Sequence, residues 1–309
     1  SVAIFGLNEF AVRLPSALFG VLTVLVVSRW SLLAGLVLAT MPWHIHFSRA
    51  AFEANVALFF ITWGTWLWFK KKSNLSLLSF IVSLFTYNAA RLFVPLWFGW
   101  LAWKRKQIKL GLILLFAWGA LLLLPQSRQR LASTNIFQSQ SGVQQRLEQK
   151  FAETRNQPLW LVRALHNKPV EYGLDFFRRY SSHFSPDFLF FSGDPLRPRY
   201  RVPDMGQLLW LELPFLLIGL YLAVKKRQWW VLVWLGLAPL PAALTFETPS
   251  AIRSYLMIVP LAIIIAYGIS AVWLKLRLLV QVFLILLFSY NLIHYLDAYF
   301  IHAPVHQPY

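Results

Sequence analysis

Long apolar runs alternate with short polar punctuation along most of this chain. Ten runs, at about 14–29, 31–47, 54–69, 75–89, 92–103, 109–125, 207–224, 229–245, 254–274 and 278–299, predict ten helices. Several fall short of the roughly 20 residues that a full bilayer crossing takes. The first two are joined only through Arg29, Trp30 and Ser31. Between the sixth and seventh lies a stretch at about 126–206, far longer than ordinary connections. Its first half is polar, with helical character near its end; its second half is rich in aromatics, proline and short charged groups. The expected fold class is therefore an all-α membrane protein. It is a multi-span helical bundle of about ten spans with one long extracytoplasmic loop. Residues 1–125 form an N-terminal part of six spans, 126–206 the loop, and 207–309 a C-terminal part of four spans.

Composition supports this reading. Of 309 residues, 58% are hydrophobic and 13% charged, against roughly 45–50% and 25% in soluble domains. Fifteen tryptophans and 26 phenylalanines suit membrane interfaces. The absence of cysteine excludes disulfides, thiolate metal sites and a thiol nucleophile. The chain opens at Ser1 with no signal-peptide pattern, so the expectation is a missing N-terminal segment.

The formal charge of +17 suggests nucleic acid until its distribution is considered. Arg29, Lys70–Lys72, KRKQIK at 104–109, KKR at 225–227, and Lys275 with Arg277 mark alternate connections and contain none of the 12 acids. By the positive-inside rule these connections are cytoplasmic. The acids and all seven histidines fall on the other side. The basic clusters set orientation, and nucleic acid is not an expected partner.

Outside the long loop, the outer side carries Arg13, Arg49, Arg91 and Arg253, one per segment. Each alone is explained by a guanidinium snorkelling at the interface. Together they suggest fixed cations at one depth, suited to an anionic lipid headgroup because the guanidinium fork donates two parallel hydrogen bonds to phosphate. Arg49 and Glu53 are four apart and would share a face on a continuous helix. Glu53 would then orient Arg49 or meet a sugar hydroxyl. His44 and His46, two apart, lie on different helix faces and make a poor metal pair. No metal site is assigned. No cofactor is indicated, although a divalent metal is left open.

Several stretches resemble one family in order: GLNEFAVRLPSALFGVL at 6–22, LATMPWHIHFSRAAFEANVALFF at 38–60, YNAARLFVPL at 87–96, YSSHFSPDFLFFSGD at 180–194, GQLLWLELPFLLIGL at 206–220 and PSAIRSYLMIVPLAIIIAYG at 249–268. Together they resemble glycosyltransferase family 39, the protein mannosyltransferase-like and aminoarabinose transferase-like group. The resemblance implies a GT-C membrane fold and a polyprenyl-phosphate sugar donor. It also implies a protein, lipid or glycan acceptor, and a multi-pass location in the plasma or inner membrane with the active face extracytoplasmic. It places the catalytic acid on the first outer loop, upstream of Ser1; Glu9 stands at that loop's end, outside the acidic motif. Arg13 matches a characteristic arginine. The short Arg29 connection departs from the longer turn expected there.

The substrate-binding candidates are Arg13, Arg49, Glu53, Tyr87, Arg91, His183 and Arg253, with Asp187 and Asp194 assigned to loop ordering. Cleavage of the anomeric carbon–phosphate bond builds charge on the departing phosphate, which fixed arginines stabilise. An acceptor hydroxyl needs a carboxylate to take its proton. The alternatives are a lipid-linked sugar flippase or transporter, which calls for charge inside the spans, and a non-catalytic pseudoenzyme fragment.

Overall fold

The computed structural model describes residues 1–123, 142–153, 167–245 and 247–306, and every regular element among them is helical. After one turn at Val2–Phe5 come α1 (Glu9–Ser28), α2 (Leu32–Thr40), α3 (Pro42–Arg49), α4 (Glu53–Phe69), α5 (Ser73–Thr86), α6 (Asn88–Lys104) and α7 (Ile108–Leu122). The long loop contributes α8 (Val143–Glu153) and α9 (Lys168–Ser182); the rest of its polar first half lies outside the described residues. The chain continues through α10 (Glu212–Lys225), α11 (Trp229–Leu237), α12 (Leu240–Ala243), α13 (Ile258–Val272) and α14 (Leu278–Asp297). By length and composition, three helical stretches among the described residues suffice to cross a membrane: Glu9–Ser28, Tyr255–Lys275 and Leu278–Val305.

All ten apolar runs contain helix, but three are interrupted. The run at 75–89 breaks at Tyr87, which is extended, and a new helix starts at Asn88. The run at 31–47 breaks at Met41, which is extended, and restarts at Pro42. Proline fits the first helical position because it has no N–H to leave unpaired. The freed Trp43 N–H donates to the Gln207 carbonyl at 3.1 Å, and the Tyr295 hydroxyl donates to the Pro42 carbonyl at 3.0 Å. The break is thus held by two distant segments. The run at 229–245 ends its first helix at Leu237 and resumes at Leu240. The helix expected from residue 14 begins at Glu9, where the Asn8 side chain caps it by accepting the Ala11 N–H at 2.8 Å.

The short connection at Arg29–Ser31 closes an ordinary hairpin. Ser31 caps α2 by accepting the Ala34 N–H, and a Cβ on Gly35 would lie 1.9 Å from Ser28 Oγ. Only glycine allows this approach.

Three of the five basic connections share one geometry. Lys71, Lys106 and Arg227 take left-handed conformations with φ of 61°, 57° and 52°. In each, the next N–H reaches back five residues: Lys72 to Leu67, Gln107 to Ala102, and Gln228 to Ala223, at 2.8–3.0 Å. These are Schellman closures of α4, α6 and α10, with a cation where glycine is usual. The left-handed residue costs about 1–2 kcal/mol, partly offset by about 0.3–1 kcal/mol from a cation at a helix C-terminus. The turns meet at one end of the bundle. Trp230 packs against Trp30 at 5.4 Å and Phe69 at 5.1 Å, and Arg105 lies over the Trp68 ring and donates to its carbonyl.

The larger of two apolar core clusters includes α13, whose residues Ile258–Ala266 are all buried; a smaller one joins Tyr295 and Tyr299 to Val202 and Leu209. Helix α10 crosses α13 at Gly219 and Gly268. A Cβ on either would lie within 2 Å of a carbonyl oxygen, Ile264 O or Phe215 O. Gly219→Ala or Gly268→Ala is therefore expected to destabilise the protein by about 1–3 kcal/mol, as overpacking does. Gly99→Ala, where nothing stands within 4 Å of the added Cβ, leaves stability unchanged or raises it by up to about 1 kcal/mol. Reversible unfolding of the purified variants in detergent measures the contrast.

Candidate functional site

The N-terminal ends of α4 and α6 lie opposite the basic turns, since those helices finish there. Three connections converge at this opposite end: the α3–α4 turn, the α5–α6 turn at Tyr87, and residues 247–254, which lead into α13. The loop at 192–201 packs over them. Beneath them, buried Asn55 donates to the Ser16 carbonyl at 2.6 Å and accepts the Tyr255 hydroxyl at 3.1 Å. Tyr255 stacks on Phe47 at 4.7 Å, and Trp43 Nε1 donates to the Ala251 carbonyl at 3.2 Å. These buried bonds fix the floor.

On that floor Arg253 is held by its neighbours. One terminal nitrogen donates to Thr245 Oγ1 at 2.9 Å and the Glu247 carbonyl at 3.2 Å; the other meets Glu247 Oε2 at 3.1 Å. The second Glu247 oxygen, Oε1, accepts from Arg197. Burial pushes Glu247 upward, but Arg197 and Arg253 outweigh it and hold the carboxyl below its ordinary pKa. The group stays ionised and orients two cations at once. Tyr87 lies within electrostatic reach of Arg253, Tyr200 and Glu53. Arg199 sits over the Tyr200 ring at 4.8 Å and donates to its hydroxyl at 2.7 Å.

The loop helices join the same network. Asp175, 5% exposed, bridges Arg146 at 2.6 Å and Arg179 at 2.5 Å, and Lys150 meets Glu171 at 2.6 Å. Arg179 then donates to the Thr245 carbonyl and Tyr180 to the Gly236 carbonyl. Thr245 thus links α9 to Arg253.

Three of the remaining expected arginines make other contacts. Arg13, partly exposed in the first turns of α1, pairs with Glu9 at 3.5 Å. Arg49 lies over Phe300 at 4.4 Å and Tyr299 at 5.2 Å. It does not share a helical face with Glu53, because α3 ends at Arg49 and α4 starts at Glu53. Arg91 Nε donates to the Leu84 carbonyl at 3.2 Å. Arg13, Arg49 and Arg253 each answer to different partners, so these three do not form one cluster. Arg197, Arg199 and Glu247 escaped the sequence reading. The signal available for the two arginines was the RPRYR run at 197–201; Glu247 lies outside it.

His183 is fully buried. The Ser250 N–H points at Nε2 at 3.3 Å, so that nitrogen carries the lone pair and Nδ1 donates to the Arg179 carbonyl at 2.9 Å. His183 is thereby a neutral tie between α9 and the 248–250 segment rather than an open substrate contact. Asp194 does similar work. It accepts the N–H groups of Leu196, Arg197 and Ala251 at 2.8–3.1 Å, while Asp187 accepts the Ser192 hydroxyl. Of the two histidines in the α3 stretch, His46 meets the Arg199 carbonyl at 2.9 Å and both are buried. Among the described residues, no three or more His, Cys, Asp or Glu side chains gather to hold a metal ion.

Compared with protein-family models, curated proteins and solved structures, the chain matches none.

Burial lowers the His183 pKa to about 4, against backbone bonding that raises it. Between the unfolded value near 6.5 and 4, the unfolded chain takes up a proton that the native state refuses. Stability contributed at neutral pH is lost as pH falls through this window, by about 3 kcal/mol. His183→Gln, which has no such proton to bind, is expected to flatten that part of the stability profile. Unfolding titrations of the two proteins from pH 7 to 4 measure the difference.

Proposed function

We propose that this is a multi-pass membrane glycosyltransferase of GT-C type, moving a sugar from a polyprenyl-phosphate donor to an acceptor on the extracytoplasmic side. The observation that carries the reading is the Arg197–Glu247–Arg253 set beside Tyr87 and Tyr200, at the end of the bundle away from the lysine turns. If the basic turns lie inside, as the positive-inside rule favours, this set lies at the outer surface. There a polyprenyl chain in the bilayer brings its phosphate to the arginines. As the anomeric carbon–oxygen bond breaks, the electron pair goes to the phosphate and the acceptor oxygen bonds the sugar. The acceptor's proton passes to a carboxylate. Arg253 and Arg197, already oriented by Glu247, stabilise the growing charge with no reorganisation at the moment of reaction. Glu53 and Tyr87 serve as polar contacts to sugar or acceptor, and Arg13, Arg49 and Arg91 as headgroup or site-shaping cations.

The alternative, a transporter of lipid-linked sugar, draws on one observation: Glu212 is buried within an apolar stretch of the bundle.

The test is sugar transfer by the native protein in membranes supplied with polyprenyl-phosphate sugars. Arg253→Ala is expected to lower transfer about 100-fold, with Arg253→Lys intermediate and thermal unfolding unchanged in kind. Wild-type transfer by a folded Arg253→Ala variant, or labelled lipid crossing the bilayer without transfer, contradicts the proposal.

A further inference from the structure

Helix α14 is fastened at two places. Near its start Gln281 donates to the Trp273 and Leu276 carbonyls at 2.8 and 3.3 Å, and toward its end Tyr295 donates to the Pro42 carbonyl at 3.0 Å. Between these ties it stands off from α2, α10 and α13, leaving a cavity of about 640 Å³. Leu36, Val37, Phe215, Trp273, Ile285 and Phe288 give it apolar walls. The volume lies in the range of about 300–1,000 Å³ typical of small-molecule sites.

Three lining residues in it are polar. The hydroxyls of Thr40 and Ser270 are committed to carbonyls of their own helices. The third, Glu212, is 3% exposed. Its Oε2 accepts the Leu209 N–H at 3.0 Å, and its Oε1 is buried with no partner. A buried carboxyl oxygen without a hydrogen bond is a costly arrangement, about 1–3 kcal/mol, unless something completes it. Asn291, three residues past Phe288 on α14, is likewise buried with an unpartnered Oδ1.

We propose that this cavity binds a single-chain amphiphile ending in a neutral hydroxyl, a long-chain alcohol, with its hydroxyl on Glu212 Oε1. The walls fit the chain. A hydroxyl both donates and accepts, so it satisfies the carboxyl whether or not that group is protonated. No lysine, arginine or histidine lines the cavity, so a phosphate or carboxylate head would meet an acid with nothing to neutralise it. The site is therefore separate from the arginine-bearing end and independent of the proposed transfer reaction.

A diazirine-bearing long-chain alcohol, its matched alkane and its matched phosphate, photolysed with the full chain in nanodiscs, test the proposal. The alcohol is expected to label peptides of α2 and α14 and to be displaced by unlabelled alcohol. Alkane and phosphate should label about tenfold less, the scale of one buried hydrogen bond. Glu212→Leu is expected to lower alcohol labelling by the same factor, and Glu212→Gln to retain most of it. Leu284→Trp, on the loosely packed helix, blocks the cavity without touching Glu212 and should abolish labelling. Equal labelling by the alkane would make the cavity a place for bulk acyl chains. Stronger labelling by the phosphate would make it an anionic-headgroup site. Either result overturns the proposal, as does full alcohol labelling of Glu212→Leu or Leu284→Trp.

Discussion

Placement of charge is the constraint on which this structure depends. A bundle so apolar can carry ions only where water, a counter-ion or a backbone dipole meets them. At one end the cations are set on helix C-termini, where the partial negative charge of the last carbonyls favours them. Lys71, Lys106 and Arg227 occupy the left-handed closing position of three hairpins, a position that would suit glycine better on steric grounds alone. At the other end the arginines are paired. Glu247 holds Arg253 and Arg197, Asp175 holds Arg146 and Arg179, and Arg49 rests on aromatic rings. The two ends are thus electrostatically unlike: among the described residues, the cations of the basic turns have no carboxylate partner, while those at the other end include arginines oriented and partly neutralised by Glu247 and Asp175.

Between the ends the helices are held by close approach more than by polar bonds. Gly219 and Gly268 let α10 and α13 meet backbone to backbone, and Gly35 makes room for the Ser28 side chain in the α1–α2 hairpin. Where the helices do not meet, between α14 and the rest, the cavity with Glu212 is left. Close packing and the cavity are linked. The core is ordered around buried α13, and α14, mostly exposed, touches it chiefly through its two ends.

Much of the helix inventory was legible because apolar runs and basic punctuation are local signals. The interruption at Met41–Pro42 was not. Pro15 and Pro95 sit inside helices that continue through them, whereas Pro42 starts a new one. The difference lies in Gln207 and Tyr295, which are over 150 residues away and bond to the break. The same holds for the site. Arg253 stood out as an isolated cation, but its counter-ion Glu247 also binds Arg197, fifty residues earlier in the chain. His183 looked like a substrate contact because histidine is often one; only its burial and the Ser250 N–H reveal a tie between segments. Arg49 and Glu53 had helical spacing, but the chain turns between them.

The central claim is that the lysine turns and the arginine site face opposite sides of a membrane. The chain has no cysteine, so single cysteines introduced one at a time report without background. Labelling by a membrane-impermeant maleimide in sealed, right-side-out vesicles is the most direct measurement. The account predicts that cysteine at Arg197 or Glu53 is labelled from outside, while cysteine at Lys71, Lys106 or Arg227 is labelled only after the vesicles are opened. Labelling of both sets from the same side would contradict it.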